Sequence, residues 1–180
     1  MTARVDVRAN RARREWSRSA LIMRVLWGCA SPLFRFSPRP FWGWRRGLLR
    51  MFGAKIGRDV RLHPTVRITI PWHLEIDDEA GIGDCVILYA LGRLRIGARA
   101  TISQHAHLCA GSHRLDDPAR ALIRAPIEIG ADAWVCADAF VGPGVNVGAG
   151  AVLGARAVAM KDLPAGMVGF GNPMQIKRVS

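Results

Sequence analysis

Five consecutive hexads between Ile129 and Val158 constrain this chain more than any other feature. They open on Ile129, Val135, Val141, Val147 and Leu153, and four of these openers precede a glycine: Gly130, Gly142, Gly148 and Gly154. The fifth place of each hexad is small or β-branched, at Ala133, Ala139, Val145, Ala151 and Ala157. A period of six is neither the 3.6 of a helix nor the alternation of a long strand. It suits a short strand and a corner, repeated, and so predicts a parallel β-helix in which each coil buries its side chains on the coil below. One aliphatic residue per flat side fills a narrow core, each worth about 1.5 to 3 kcal/mol on burial. The fifth place turns inward beside a corner and must stay small.

The same pattern runs back toward the N-terminus. Openers at Ile56, Leu62 and Ile68 fit imperfectly; the series resumes at Ile76 and Ile82, runs to Leu88, slips register around Gly92 and returns at Ile96, Ile102 and Leu108, with Ala100, Ala106 and Ser112 in the small column. The hexads stop at Arg114 and resume near Ile127, so residues 114–126, with Asp116, Asp117, Pro118 and Pro126, form a loop thrown out of the coil. A long loop in a compact repeat is more often functional than idle. The division expected is a basic aromatic extension over 1–50, the β-helix over 51–160 and a C-terminal cap and tail over 161–180.

The formal net charge of +12 suggests nucleic acid until it is mapped. Residues 1–50 hold 12 of the 26 basic residues against only Asp6 and Glu15, while the rest of the chain is nearly balanced. The charge belongs to the extension, and no nucleic-acid partner is expected. Residues 1–19 are arginine-rich without a core pattern and read as disordered or loosely helical. Leu21, Ile22, Val25, Leu26 and Cys29 share one stripe at helical spacing. Two readings stand for residues 10–36: contact with a membrane interface, or capping of the solenoid end, which otherwise exposes a row of strand edges. Residues 41–52 are expected to cap. Arg24 interrupts the apolar run, which is too short for a span of about 20 residues, so neither a cleaved signal nor a transmembrane helix is expected. Cys29, Cys85, Cys109 and Cys136 lack CxxC spacing and read as small buried or half-buried side chains of a reducing, cytoplasmic compartment.

The hexads, together with Asp162-Leu163-Pro164 and Gly171-Asn172-Pro173, resemble the left-handed β-helix acyltransferases, and most nearly the colanic acid biosynthesis acetyltransferases, relatives of the maltose and galactoside O-acetyltransferases. The resemblance spans residues 40–178. It implies an acetyl-CoA-dependent O-acetyltransferase acting on a sugar hydroxyl, assembled as a homotrimer and requiring no metal. The segment Cys109-Ala110-Gly111-Ser112-His113 matches the family's Gly-Ser-His or Gly-Thr-His motif, which makes His113 the general base. Imidazole suits that role because its ordinary pKa lies close to neutrality. The resemblance further implies that Trp134 lines the reaction centre, that Ala137 and Ala155 contact the pantetheine arm, and that Lys161 and Arg178 meet the nucleotide phosphates. Tyr89 and Asp116 are the candidates for acceptor binding. Met160, Phe170, Gln175 and Arg114 depart from the family pattern. His105 and His107 flank Ala106 and point outward; with His113 and Cys109 they also admit a metal site like that of the γ-class carbonic anhydrases, which share the fold. A non-catalytic scaffold is the reading from outside the enzymes.

Overall fold

The computed structural model describes residues 5–178. Its strands are mostly two or three residues long and build three parallel sheets, one on each face of a triangular coil. The first face stacks Lys55–Ile56, Leu74–Ile76, Leu94–Ile96, Ile127–Ile129 and Asn146–Val147. The second stacks Arg61–Leu62, Gly81–Ile82, Thr101–Ile102, Trp134–Val135 and Val152–Leu153, and the third Arg67–Ile68, Ile87–Tyr89, His107–Cys109, Phe140–Val141 and Val158–Ala159. This is the expected left-handed parallel β-helix, whose hand departs from the usual right-handed crossover.

The hexad columns are the registers of these sheets. Ile56, Ile76, Ile96, Ile129 and Val147 lie over one another on the first face. Leu62, Ile82, Ile102, Val135 and Leu153 do so on the second, and Ile68, Leu88, Leu108, Val141 and Ala159 on the third. The small residues Ala80, Ala100, Ala106, Ala133, Ala139, Ala151 and Ala157 are buried between them. Ala110 is buried at the end of the third face, whereas Ser112, expected in this column, is exposed on a hairpin that leaves the coil. The glycines follow from coil-on-coil approach: a Cβ on Gly148 would stand 2.3 Å from Ala165 N, and one on Gly92, where the register slips, 2.6 Å from Ala125 O.

Coil stacking leaves a specific debt at the N-terminal end. Along the faces, each coil's N–H groups donate to carbonyls of the following coil, as Gly57 N to Ile76 O (2.7 Å), Arg61 N to Ala80 O (2.9 Å) and His63 N to Ile82 O (2.9 Å), while corner amides point the other way, as Glu79 N to Arg58 O (2.9 Å). The face carbonyls of the first coil therefore have no coil beneath to donate to them, and buried backbone acceptors require partners. Side chains of the extension provide these. In the helix Trp42–Met51 (α3), Arg45 Nε donates to Leu62 O (2.7 Å), Arg46 Nη1 to Val60 O (3.1 Å), and Arg50 Nε and Nη2 to Ile56 O (2.9 and 2.7 Å). In the helix Arg18–Arg35 (α2), Trp27 Nε1 donates to Ile68 O at 2.8 Å. Arg45 is wholly buried, and its Nη atoms also reach Ser37 Oγ, Pro38 O and Arg39 O (2.8, 2.8 and 2.5 Å).

The extension meets its expectations in part. Residues 1–4 lie outside the described residues; beyond them Val7–Ala12 is a short helix (α1) capped by Asp6, in line with the helical alternative for this stretch. It docks on the thrown-out loop, with Asp6 N to Pro118 O (2.8 Å), Asn10 Nδ2 to Ala119 O (2.7 Å) and Arg13 Nη1 to Asp117 Oδ2 (2.9 Å). The stripe of Leu21, Ile22, Val25, Leu26 and Cys29 is helical but faces solvent; the opposite side of α2, with Trp27 and Phe34, packs on the solenoid. Cys29 is accordingly exposed, while the other three cysteines are half-buried and all four are free.

Candidate active site

The third-face strand His107–Cys109 ends at Ala110, after which the chain leaves the coil as an antiparallel hairpin, Ser112–His113 pairing with Leu122–Ile123. Two backbone facts hold this excursion: Arg114 N donates to Ala121 O (2.9 Å), and Asp117 accepts from Ala119 N and Ala121 N (2.9 and 3.1 Å). The Arg13 guanidinium, followed by these amides, keeps the Asp117 carboxyl below its ordinary range. His113 is exposed on the hairpin, and its Nδ1 lies 2.7 Å from Arg120 O. A carbonyl can only accept, so Nδ1 carries the hydrogen and Nε2 is left with a free lone pair. The loop thus sets both the tautomer and the orientation of the imidazole.

The residues expected on the donor side divide into groups. Trp134 stands half-exposed on the outer surface of the second face, and its Nε1 donates to Ser103 Oγ (2.8 Å) one coil below. Ala137 follows at the corner into the third face, and Ala155 occupies the next coil's version of that corner, where Arg156 N donates to Ala137 O (2.9 Å). These three line one edge of the prism. Arg178 closes the terminal hairpin, opposite Met167 on the strand Met167–Phe170 that continues the second face above Val152. Lys161 lies elsewhere, exposed at the corner beyond the third face, and His113 projects from a corner of that same kind on an earlier coil. Within one chain, the candidate base and the candidate donor edge occupy different edges.

On the acceptor side, Tyr89 lies half-exposed on the third face with its ring edge-on to His107 (6.4 Å), which in turn meets Phe140 edge-on (5.3 Å). His107 Nε2 is buried without a hydrogen-bond partner, and burial pushes this imidazole's pKa down. Asp116 is engaged by Arg114 through two hydrogen bonds (3.1 and 2.7 Å), which hold its carboxyl below the ordinary range. His105 sits at a corner with φ +61°, so His105, His107 and His113 occupy a corner, a strand and a hairpin. Among the described residues no three His, Cys, Asp or Glu side chains are grouped to hold a metal ion.

Sequence reasoning did not pick out Ser103 or the Arg120 carbonyl. Ser103 was within reach, because stacking Trp134 on Thr101 brings it beside the indole once the loop is excised from the count. An open groove of about 560 Å³ extends from Ser103 along the second face past Gln104, Asp84 and His63 to Arg39, Arg61 and Trp42. Phe170, an apparent departure from the family, carries the Lys177 ammonium over its ring at 5.0 Å.

No family model matches the chain. It is 44% identical over 160 residues to the "Putative colanic acid biosynthesis acetyltransferase WcaF" of Escherichia coli (strain K12), covering 89% of this chain and 88% of that protein, and matches the Shigella flexneri protein of the same name equally. Among solved structures, a maltose O-acetyltransferase from Clostridium difficile 630 superposes with a TM-score of 0.83 at 19% identity, covering 90% of this chain and 88% of the other. A hexapeptide-repeat-containing acetyltransferase from Vibrio cholerae O1 biovar eltor, complexed with acetyl coenzyme A, gives 0.84 at 23% identity, covering 92% and 91%. These two share the fold; the longer identity to the curated relatives carries the kinship, and the chain belongs to the WcaF family of colanic acid biosynthesis acetyltransferases.

Proposed function

We propose that this protein transfers an acetyl group from acetyl-CoA to a sugar hydroxyl in the synthesis of a colanic-acid-like exopolysaccharide, in the cytoplasm and as a homotrimer. The observation that carries the reading is 44% identity along almost the whole chain to the curated acetyltransferases. The clamped imidazole of His113 supports the chemistry. Nε2 takes the proton of the acceptor hydroxyl as its oxygen attacks the thioester carbonyl. The tetrahedral intermediate collapses, the C–S bond breaks, and the imidazolium returns the proton to the departing CoA sulfur. The thioester is already activated, so holding both substrates together suffices and no covalent enzyme intermediate is required.

Trp134, Ala137 and Ala155 would form the wall along which the pantetheine arm lies, the alanines leaving room that a larger side chain would fill. Lys161 and Arg178 would meet the phosphates, and Tyr89 and Asp116 the acceptor, Asp116 after exchanging its hold on Arg114. In the trimer, His113 of one subunit would face the donor edge of the next, which accounts for their separation within a chain.

Calorimetric titration with CoA, paired with a thioester-cleavage assay over a panel of sugar acceptors, tests this on the wild type, His113→Ala and His113→Asn. All three should bind CoA, and both variants should lose turnover by about 10² to 10⁴, the usual contribution of a general base. Asn can still donate to the Arg120 carbonyl, so it separates loss of the base from loss of the clamp. Absence of CoA binding in the wild type would overturn the enzyme reading and leave the scaffold.

A further inference from the structure

A helix resting on a protein needs only one apolar side, and α2 has two. Trp27 and Phe34, seven residues apart and thus on one stripe, are 5% and 2% exposed against the solenoid, where Trp27 also meets the Phe52 ring at 5.1 Å. The opposite stripe consists of Leu21, Ile22, Val25, Leu26, Cys29, Leu33 and Phe36, and all of it is open: Val25 is 66% and Phe36 80% exposed. Phe41, Trp44 and Met51 of the adjoining segment are exposed as well, and Trp44 Nε1 ties that segment to α2 by donating to Leu33 O (3.1 Å). A contiguous apolar surface of this kind marks a place of contact.

The charges around it name the partner. From Trp16 to Arg58 the chain contains nine basic residues and no acidic one. Arg24 and Arg35, eleven residues apart, lie on one flank of the open stripe, and neither they nor Arg18 and Arg39 form an ion pair among the described residues. A second copy packed stripe to stripe would bring one arginine-rich arm against another. An anionic bilayer offers both an apolar phase for the stripe and negative headgroups for its flanks. No described helix is long and apolar enough to cross a membrane, so the geometry is that of lying in the interface.

We propose that α2 is an interfacial helix that seats the solenoid on an anionic lipid surface through the stripe from Leu21 to Phe36. The proposal does not depend on the acetyltransferase reading. It is tested with the purified full chain by cosedimentation with vesicles of phosphatidylcholine, with and without phosphatidylglycerol. Binding is expected to the anionic vesicles, weakening as salt rises. Ile22→Ser/Val25→Ser, at side chains already exposed, should keep the wild-type melting temperature and lower the partition coefficient at least about tenfold, and Arg18→Gln/Arg24→Gln should flatten the salt dependence. Failure of the wild type to sediment with anionic vesicles at low salt would overturn the proposal, as would undiminished binding by Ile22→Ser/Val25→Ser. So would an assembly in sedimentation velocity that dissociates only in that double variant while no vesicle is bound, which would assign the stripe to a second copy.

Discussion

Replacing Arg45 with methionine tests how this solenoid closes its first coil. The guanidinium is wholly buried and faces no carboxylate; its hydrogen-bond partners are Leu62 O, Pro38 O, Arg39 O and Ser37 Oγ, and it lies over the Trp42 ring at 4.7 Å. Two effects oppose each other. Burying a cation costs several kcal/mol, and desolvation lowers the pKa of Arg45 accordingly. Against this, hydrogen bonds from a charged donor are worth about 1.5 to 3 kcal/mol each, and a buried acceptor left alone costs about 1 to 3 kcal/mol. After Arg45→Met, the carbonyls of the exposed residues Pro38 and Arg39 regain water, and the Ser37 hydroxyl keeps its donation to Phe34 O (2.7 Å). Leu62 O, in the floor of the coil, has no substitute. The hydrogen bonds should win, with a net loss of about 2 to 4 kcal/mol, read as a lower midpoint in urea unfolding followed by circular dichroism at fixed protein concentration. Arg45→Lys should be at least as damaging as methionine, since it keeps the buried charge yet cannot span from Leu62 O to Ser37. A methionine variant as stable as the wild type would refute the reasoning and show that the buried charge cancels the cap.

Two further perturbations probe the coil itself. Gly148→Ala should cost more than about 2 kcal/mol, because its Cβ would meet the Ala165 backbone at 2.3 Å, whereas Gly150→Ala, with φ +64° and open space around it, should cost only the left-handed penalty of about 1 kcal/mol; thermal unfolding of both variants gives the comparison. His107 and His63 share the pH dependence: burial depresses the folded pKa of each, so below the unfolded value of about 6.5 the unfolded chain binds protons that the folded chain resists. Stability is thus full above that pH and declines below it, and His107→Phe should make the decline between about pH 7 and pH 5 shallower in urea titrations.

The solenoid was legible because its constraint is periodic. Every coil repeats the same burial, so Ile129, Val135 and Val141 fall one on each face, and the break after His113 announces the loop, although the chain already leaves the coil as a hairpin at Ser112. The slip at Gly92 was visible too, and the close approach of Ala125 O explains why a glycine stands there. Non-periodic contacts left no such trace. Arg45, Arg46 and Arg50 lie in the segment expected to cap, but their acceptors could not be named, since a side chain donating to a backbone carbonyl requires nothing of the sequence at the acceptor. The stripe on α2 was legible as a stripe but not as an outward one: spacing assigns residues to a side, and only the competing pair Trp27 and Phe34 decides which side packs. For the candidate site, the motif at His113 and the outward Trp134 could be named from sequence, but their hydrogen-bond partners, Arg120 O and Ser103, depend on folding across the loop and across a coil.

The separation of His113 from the Trp134–Ala155 edge leads to a prediction that needs no distance between subunits. His113→Ala removes the proposed base and leaves the donor edge intact. Ala155→Arg fills the donor edge at an exposed corner and leaves the base intact. Each variant alone should be inactive. If the base of one subunit serves the donor edge of the next in a closed ring, then unfolding and refolding an equal mixture builds mixed trimers. A site works only where an intact base from one variant meets an intact edge from the other, and each condition holds half the time. Turnover per site should therefore recover to about one quarter of the wild type. Sites completed within one subunit can never combine the two intact halves, so recovery would stay at zero however the subunits mix. The assay is thioester cleavage in the mixture against each variant refolded alone, with mixing verified by native mass spectrometry. Mixed trimers without recovered turnover would refute the shared site and require a single chain to bring its own His113 to its own donor edge.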